Sequence, residues 1–285
     1  MPLVSVIILT FNSKDLLSRC LDSIFLQDCQ GLEVIVVDNG SKDGTYDFLK
    51  NKYAEVLIIR NEDNLGACRA RNQGVKAAQG SWILSLDCDV ILGEGFIRRV
   101  FNAIADSAAN LGMFQAKILQ PDRKTIYSCG IYISKLLLRF YDIGKGLNDQ
   151  GQFDQNRRIF GACSAAAVYN RKMLEALKEK TGYFDERFFF LFEDVDLAWR
   201  GQKAGWKALF EPGLVCYHQG NSSGTCRKIR QYLCLRNRYL TLVKNRGLNW
   251  YFLPLFFYDI PRMLYIFISK RIFYDKMKSC KHCFF

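Results

Sequence analysis

Short apolar runs rich in β-branched residues alternate with segments of helical periodicity through the first ninety residues. The apolar runs are typical of buried parallel strands and cover residues 4–10, 33–37, 56–60 and 82–86. The segments with helical spacing cover residues 13–24, 43–52 and 67–78. This alternation predicts an α/β fold with a mostly parallel central sheet, right-handed crossovers and flanking helices.

Polar side chains follow each of the four predicted strands, where an open α/β sheet binds its ligands. One such side chain could be ordinary loop polarity, but four consecutive strand ends indicate a binding site. The residues concerned are Thr10, Asn12, Asp38, Asn39, Asn61, Asn64, Asp87 and Asp89.

The middle of the chain gives a weaker pattern. We predict helices over residues 96–109, 171–180 and 193–204, and strands over residues 113–119, 126–133 and 159–169. The first two of these strands are predicted to pair in antiparallel fashion. Residues 142–158 are polar and contain glycine, which predicts a mobile loop over the site.

Asp87 and Asp89 form a two-carboxylate motif at the end of the fourth strand. In extended chain both side chains face the same side, while Cys88 points away. Hard oxygen ligands on one face suit Mg²⁺ or Mn²⁺. His218, one of two histidines, follows another strand-like run and is a candidate third ligand. The alternative for His218 is a structural role.

A second acidic cluster follows the aromatic run of residues 188–192. Acids in a first helical turn stabilise the helix N-terminus, which is one explanation of Glu193 and Asp194. The aromatic run favours another, in which an apolar wall holds a carboxylate ready as a general base. Asp196 and Arg200 are spaced to form a structural ion pair.

Positive charge is concentrated near the C-terminal end. The formal net charge is +12, and residues 226–285 hold thirteen Lys and Arg against two acids. Residues 249–268 are aromatic but interrupted by Pro254 and Pro261, which favours an interfacial helix on an anionic membrane surface over a spanning one. A packed helical cap is the alternative. No nucleic-acid recognition motif accompanies the charge, so no nucleic-acid partner is expected.

Cysteine usage and the first residues suggest a compartment. Eleven scattered cysteines are typical of free thiols in a reducing cytosol. Met1 and Pro2 lead directly into the first strand without a secretory signal pattern. We therefore expect a cytoplasmic protein, peripheral on the cytoplasmic face of the membrane.

Several ordered motifs resemble the family two glycosyltransferases of the GT-A fold. They are VSVIILTFN at residues 4–12, EVIVVDNGS at 33–41, NLGACRARNQG at 64–74 and the Asp-x-Asp triplet at 87–89. Residues 182–197 resemble the branch that includes bacterial rhamnosyltransferases and galactofuranosyltransferases. The resemblance spans about residues 3–245 and is specific for the family rather than for the sugar.

The resemblance implies a role for each matching residue. Nucleotide binding falls to Thr10, Asn12, Asp38, Asn64, Arg71 and Asp87. Metal binding falls to Asp89 and His218, with Mn²⁺ or Mg²⁺ as the cofactor. Asp194 corresponds to the catalytic base, while Gly161, Ala162 and Glu193 lie on the acceptor and sugar side.

The implied reaction is inverting transfer of a sugar from a pyrimidine nucleotide sugar, dTDP-rhamnose or a UDP-hexose. The expected acceptor is a hydroxyl of a glycan or lipid-linked glycan in cell-surface polysaccharide synthesis. The expected organisation is a catalytic domain over residues 1–225, with a nucleotide-binding half to about 110 and an acceptor half after it. Residues 226–285 would form a helical, basic, membrane-proximal extension.

Two other functions were weighed. A nucleotidyltransferase that activates sugars would need a glycine-rich basic phosphate loop near the N-terminus, and residues 10–13 do not form one. A non-enzymatic membrane or nucleic-acid adaptor would leave Asp87, Asp89, Asp194 and His218 unexplained.

Overall fold

A computed structural model describes residues 4–27, 30–134, 139–220, 225, 227–247, 259–261 and 264. In these residues the helices are α1 Lys14–Phe25, α2 Thr45–Lys52, α3 Ala67–Ala77, α4 Phe96–Ala105, α5 Arg171–Ala176, α6 Glu193–Lys203 and α7 Arg227–Arg246. The first six strands are β1 Val4–Thr10, β2 Leu32–Asn39, β3 Leu57–Asn61, β4 Trp82–Asp87, β5 Val90–Leu92 and β6 Leu111–Leu119. They are followed by β7 Ile126–Ser128, β8 Ile131–Ser134, β9 Arg139–Asp142, β10 Arg158–Ile159, β11 Ala166–Asn170 and β12 Lys207–His218.

The central sheet has the strand order β10-β12-β6-β11-β4-β1-β2-β3. Strands β1 to β4 pair in parallel, and β12 pairs in parallel with β6. Strand β11 enters antiparallel between β4 and β6. Because β1 and β4 are adjacent and parallel, their polar C-terminal ends meet at one edge, as the sequence pattern predicted.

Helices cover both faces of the sheet because β1 is apolar on both sides. Val6 and Ile8 pack in one core cluster with Leu17 and Leu21 of α1. Ile7 points the other way and joins a second cluster on the side of α3. Alternation along a strand that is buried on both faces explains its continuous apolar run.

Two predicted strands are interrupted in the structure. The prediction over residues 126–133 divides into β7 and β8 because Gly130 has a φ of +119°, outside the range of a strand. The prediction over residues 159–169 divides into β10 and β11, and the segment between them turns toward the site. The predicted helices at 96–109 and 171–180 end earlier, at Ala105 and Ala176.

Residues 142–158 pack against the body rather than over the site. Lys117, on β6, forms ion pairs of 3.0 Å with Asp149 and 2.8 Å with Asp154. Ile143 and Phe153 pack on the second core cluster. None of these residues lines the site cavity formed by the described part of the chain, so the expected covering loop is replaced by an anchored one.

Helix α7 packs into the body of the fold, although the predicted boundary at residue 225 places it in the extension. It buries Leu233 and Leu242 and packs on α6. Arg238 of α7 also pairs at 2.5 Å with the buried Asp259. This arrangement matches the alternative of a packed helical cap. Most of residues 249–268 lies outside the described residues.

Within the described part of the chain, none of the helices combines the length and apolar character needed to cross a bilayer.

Candidate active site

A cavity of about 250 Å³ opens beyond the C-terminal ends of β1 and β4. Its floor comes from these strand ends, and one wall comes from residues 189–194. The first turns of α7 add Ile229, Arg230 and Leu233. Seven predicted site residues line it, namely Thr10, Asn64, Arg71, Asp87, Glu193, Asp194 and His218.

Asp87, Asp89 and His218 come together at one edge of the sheet. Asp87 ends β4 and Asp89 follows it, while β5 pairs with β12 so that His218 lies opposite Val90. His218 Nε2 is 3.0 Å from Asp89 Oδ1 and 4.0 Å from Asp87 Oδ2. Cys88 points into the core, as alternation predicted.

The chemistry of this triad fits a divalent cation. One potential ligand atom from each residue lies within 4.8 Å of those of the other two. Two carboxylates and an imidazole match the preferences of Mn²⁺ and leave room for phosphate oxygens. Burial lowers the pKa of His218, but the hydrogen bond to Asp89 together with the negative charges of Asp89 and Asp87 raises it above the ordinary value. A cation would replace the proton that this arrangement favours.

Arg71 connects Asp87 of the predicted metal motif to Glu193 in the first turn of α6. Its guanidinium donates to Asp87 at 2.8 Å, to Glu193 at 2.5 Å and to the Ser85 hydroxyl at 3.3 Å. Its side chain is only 5% exposed. The structure therefore shows Arg71 holding two carboxylates in the cavity wall, while the resemblance had implied contact with the nucleotide.

Asp194 lies in the first turn of α6 and faces the same cavity. Its Oδ2 accepts a hydrogen bond from the Ser164 amide at 3.2 Å, and its Oδ1 accepts one from the Val195 amide at 2.8 Å. Burial, followed by the negative charge of Glu193, raises the pKa of Asp194 to about 7, against the opposing effect of Arg71. A carboxyl group with such a pKa can accept a proton near neutral pH.

The predicted aromatic wall is a strained turn. Phe189, Leu191 and Phe192 have φ values of 64°, 70° and 72°, a region that side chains other than glycine rarely adopt. All three line the cavity immediately before Glu193 and Asp194. The turn therefore combines the apolar wall with the placement of the acids.

Thr10 and Asp38 lie side by side on β1 and β2. Asp38 is fully buried, and its Oδ1 accepts from the Ser41 amide at 3.0 Å. Among the described residues, Thr10 Oγ1 and Asp38 Oδ2 have no hydrogen-bond partner. Buried polar atoms of this kind are normally satisfied, so the pair fits a polar ligand such as a nucleobase.

The other two residues predicted for the nucleotide differ from each other. Asn64 lines the cavity, and its side-chain oxygen accepts a hydrogen bond from the side-chain amide of Asn39 at 2.9 Å. Asn12 is exposed and lies outside the cavity lining, and its side-chain oxygen accepts from the Lys42 amide at 2.7 Å. Asn12 thus stabilises the loop after β2, and Asn39 takes its place in the wall.

Gly161 and Ala162 lie beneath the wall rather than beside the cavity. A Cβ on Gly161 would lie 2.2 Å from the Cβ of Ala198 on α6, and Ala162 is fully buried. Their small size therefore allows the close approach of α6. The cavity is lined instead by the next three residues, Cys163, Ser164 and Ala165.

Three further residues contribute to the site without being predicted from the sequence. Ser164 donates to Asp194, Tyr127 packs edge-on against His218 with ring centroids 4.3 Å apart, and Asn237 of α7 holds the strained turn. Small residues before an apolar strand gave an indirect signal for Ser164. The other two contacts depend on tertiary structure and have no local signal.

Comparison with known proteins is consistent with this geometry. A family model described as Glycosyl transferase family 2 matches residues 5–178. The chain is 27% identical over 279 residues to the N-acetylglucosaminyl-diphospho-decaprenol L-rhamnosyltransferase of Mycobacterium tuberculosis, covering 90% of this chain and 87% of that protein. A PGL/p-HBAD biosynthesis glycosyltransferase of Mycobacterium bovis is 32% identical over 176 residues, which is 60% of each chain.

Among solved structures, the mannosyltransferase PcManGT of Pyrobaculum calidifontis, in complex with GDP-Man and Mn²⁺, superposes with a TM-score of 0.61. The identity is 19%, and the alignment covers 89% of this chain and 68% of that one. This likeness confirms the fold that the sequence resemblance implied. The alignment covers 60% of the length of the Mycobacterium bovis glycosyltransferase and 19% of the length of another curated relative.

Proposed function

The chain belongs to glycosyl transferase family 2, and we propose that it transfers a sugar, with inversion, from a pyrimidine nucleotide sugar to a hydroxyl group. The proposed acceptor is a glycan or lipid-linked glycan of the cell surface. One observation supports this most strongly: a single cavity contains Asp87 and His218 of the acidic triad and, separately, Asp194 with its raised pKa.

Asp87, Asp89 and His218 would hold the divalent cation, and Mn²⁺ or Mg²⁺ fits their ligand atoms. When bound, the cation supplies Lewis-acid stabilisation of the negative charge on the departing diphosphate. Arg71 orients Asp87 through its 2.8 Å contact and opposes the rise in the pKa of Asp87 that burial causes. The ligand atoms of the triad and their chemistry support this cofactor.

The nucleoside would lie over β1 and β2. Thr10, Asn39 and Asn64 line the cavity at these strand ends, and Asp38 lies buried beside Thr10, with an Oδ2 atom that has no hydrogen-bond partner among the described residues. A carboxylate oxygen accepts the imide N–H that uracil and thymine share. We therefore propose a UDP or dTDP sugar as the donor.

Asp194 is the proposed general base. Its carboxylate takes the proton from the acceptor hydroxyl, and the acceptor oxygen forms a bond to the anomeric carbon. The bond from that carbon to the diphosphate oxygen breaks, and its electron pair leaves with the nucleoside diphosphate. A single displacement of this kind inverts the anomeric centre through an oxocarbenium-like state, as in inverting glycosidases.

The names of the relatives favour a lipid-linked acceptor. The mycobacterial protein that aligns over 90% of this chain is named for rhamnosyl transfer to N-acetylglucosaminyl-diphospho-decaprenol. We propose dTDP-rhamnose as the first donor to test, followed by UDP-hexoses. Ile229 and Leu233 at the cavity rim are compatible with an acceptor that has an apolar portion.

A thermal-shift screen of dTDP-rhamnose, UDP-galactose, UDP-N-acetylglucosamine and GDP-mannose, each with Mn²⁺, Mg²⁺ or EDTA, tests the donor and the metal together. Binding to the folded state raises the melting temperature, and at equal concentration a tighter ligand raises it more. A pyrimidine nucleotide sugar should stabilise the protein only with a divalent cation, and Asp89→Ala should abolish that effect. Equal shifts in EDTA would exclude the metal-binding role.

A further inference from the structure

Helix α7 contacts the strained turn at residues 188–192 through two adjacent side chains. The Asn237 amide nitrogen lies 3.0 Å from the carbonyl oxygen of Phe188, 2.8 Å from that of Phe190 and 2.7 Å from that of Leu191. The Asn237 side chain is fully buried. One amide group therefore fixes three carbonyls of a single turn.

Arg236 extends the same contact. Its Nη2 donates to the carbonyl oxygens of Arg187 at 2.9 Å and Phe188 at 2.8 Å. Its Nε donates at 2.8 Å to the side-chain oxygen of Asn237, which orients the amide so that its nitrogen faces the turn. The two residues act as one clamp on the backbone.

The clamped turn has no cap of its own at the start of α6. Phe192 is the N-cap residue with a left-handed φ of 72°, and its side chain makes no capping hydrogen bond. Glu193 and Asp194 follow at once in the first helical turn. Left-handed residues persist where their surroundings hold them, and among the described residues Asn237 and Arg236 supply much of that hold.

We propose that Asn237, oriented by Arg236, is a positioning residue that holds the turn at 188–192 so that Asp194 faces the cavity in its reactive geometry. This inference rests on the proposed role of Asp194 as the base. It assigns to α7 a function in the reaction, through hydrogen bonds to backbone carbonyls rather than through contact with substrate.

The test compares Asn237→Ala with Asn245→Ala. Asn245 is a buried amide on the same helix and donates to the Asp196 side chain and to the Thr241 carbonyl, not to the carbonyls of residues 188–192. Both variants should lower the melting temperature. Only Asn237→Ala should reduce turnover of the donor selected by the screen, by about ten- to a hundred-fold, the scale of a small misplacement of a reacting group.

A second measurement does not depend on turnover. With aspartate labelled by ¹³C at the carboxyl carbon, the resonance missing in Asp194→Asn identifies Asp194. Its titration midpoint should fall toward the ordinary aspartate value in Asn237→Ala, because a released turn admits water to the carboxylate. The midpoint should be unchanged in Asn245→Ala.

The double variant Asn237→Ala with Asp194→Asn separates this inference from the proposed function. If Asn237 acts through Asp194, the double variant should be within about two-fold of Asp194→Asn alone, because groups that act as a unit are not additive. Full turnover in Asp194→Asn would overturn the base assignment itself. An impaired Asp194→Asn together with normal turnover and an unchanged midpoint in Asn237→Ala would overturn only the positioning role.

Should Asn237→Ala fail to fold, Arg236→Ala removes the contacts to Arg187 and Phe188 while leaving the buried amide in place. It should show the same two effects in milder form. Wild-type turnover and an unshifted midpoint in a folded Arg236→Ala would contradict the inference.

Discussion

Asp87 and Asp194 carry the same side chain in different surroundings, which suits them to different tasks. Asp87 contacts the Arg71 guanidinium at 2.8 Å and lies near His218. Burial, followed by the negative charge of Glu193, raises the pKa of Asp194 to about 7, although hydrogen bonds from two backbone amides lower it. Asp87 is therefore placed to bind cations, while Asp194 is placed to take up a proton near neutral pH.

The sequence located these two acids, and the family resemblance implied roles for Arg71 and Glu193, but neither predicted the ion pair that joins Arg71 to Glu193. Strand ends and the aromatic run indicated Asp87 and Asp194 because both signals are local. The link from Arg71 to Glu193 spans 122 residues, and neither residue has a local pattern that predicts it. The same limit explains why Gly161 and Ala162 were assigned to the cavity, since small residues fit close approach to a helix as well as to a sugar.

Arg71→Met should destabilise the protein strongly. The change removes a buried cation and leaves the buried Glu193 and the half-buried Asp87 without their counterion, a loss of about 3–5 kcal/mol in the free energy of unfolding. Lys52→Met is the control, because its pair with Asp22 is exposed and therefore contributes little to the free energy of unfolding. Urea denaturation of both variants measures the difference. Equal losses in the free energy of unfolding would contradict the role of Arg71 as the counterion of Glu193 and Asp87.

At the scale of elements, the site depends on segments that break regular structure. The sequence predicted the strands and helices of the first ninety residues within a few residues of their bounds, since their apolar periodicity is strong. It predicted β7 and β8 as one strand, and β10 and β11 as another, because an apolar run does not reveal the break that Gly130 or a turn introduces. The turn at residues 188–192 was predicted as an aromatic wall, but its left-handed backbone follows from contacts with α3 and α7.

Gly66, just before α3, is where the turn at residues 188–192 packs against the N-terminal part of the fold. Its φ is +83°, and an added Cβ would lie 2.5 Å from the Phe189 ring and 2.7 Å from the Phe189 carbonyl oxygen. Its ψ of 157° completes a backbone conformation nearly confined to glycine. Gly205 has the same φ, but its added Cβ would meet nothing within 4 Å.

Gly66→Ala should therefore cost more stability than Gly205→Ala. Both variants bear a strained backbone of about 1–2 kcal/mol, and Gly66→Ala adds a clash of about 1–3 kcal/mol. Because relief of the clash displaces Phe189 from the cavity wall, Gly66→Ala should also weaken binding of the nucleoside diphosphate with Mn²⁺. Calorimetry and urea denaturation check both effects, and indistinguishable variants would contradict the close approach.

At the scale of the whole molecule, the distribution of charge and the packing of side chains place the boundary between body and extension at different residues. The charge pattern changes near residue 226, and the sequence analysis placed a domain boundary there. Packing continues through α7, whose Lys244 contacts Glu179, Asp185 and Asp196. A helix can be basic and still belong to the core when buried acids face it, so composition alone could not place the boundary.

Binding to anionic membranes remains a prediction for the last part of the chain. The test changes five basic residues near the C-terminal end to glutamine and leaves the buried Asp259 in place. The five residues are Lys270, Arg271, Lys276, Lys278 and Lys281. Because each contributes about 1 kcal/mol near an anionic surface, the variant should lose most of its flotation with phosphatidylglycerol vesicles.

The matched control neutralises five exposed lysines of the body: Lys50, Lys76, Lys124, Lys172 and Lys207. This control should float like the unaltered protein. Equal flotation of the two variants would refute a membrane-binding role for residues 270–281.

The most direct test of the account is the turnover of Asp194→Asn as a function of pH. The donor selected by the screen is supplied with polyprenyl-diphosphate-linked sugars as acceptors, and release of the nucleoside diphosphate is measured. In the unaltered protein the base acts only when ionised, so turnover should rise with pH through about 7. Asp194→Asn should lose about 10²-fold or more and the pH rise, while its affinity for the nucleoside diphosphate with Mn²⁺ is retained. Turnover within two-fold of the unaltered protein, with the same pH profile, would contradict the account.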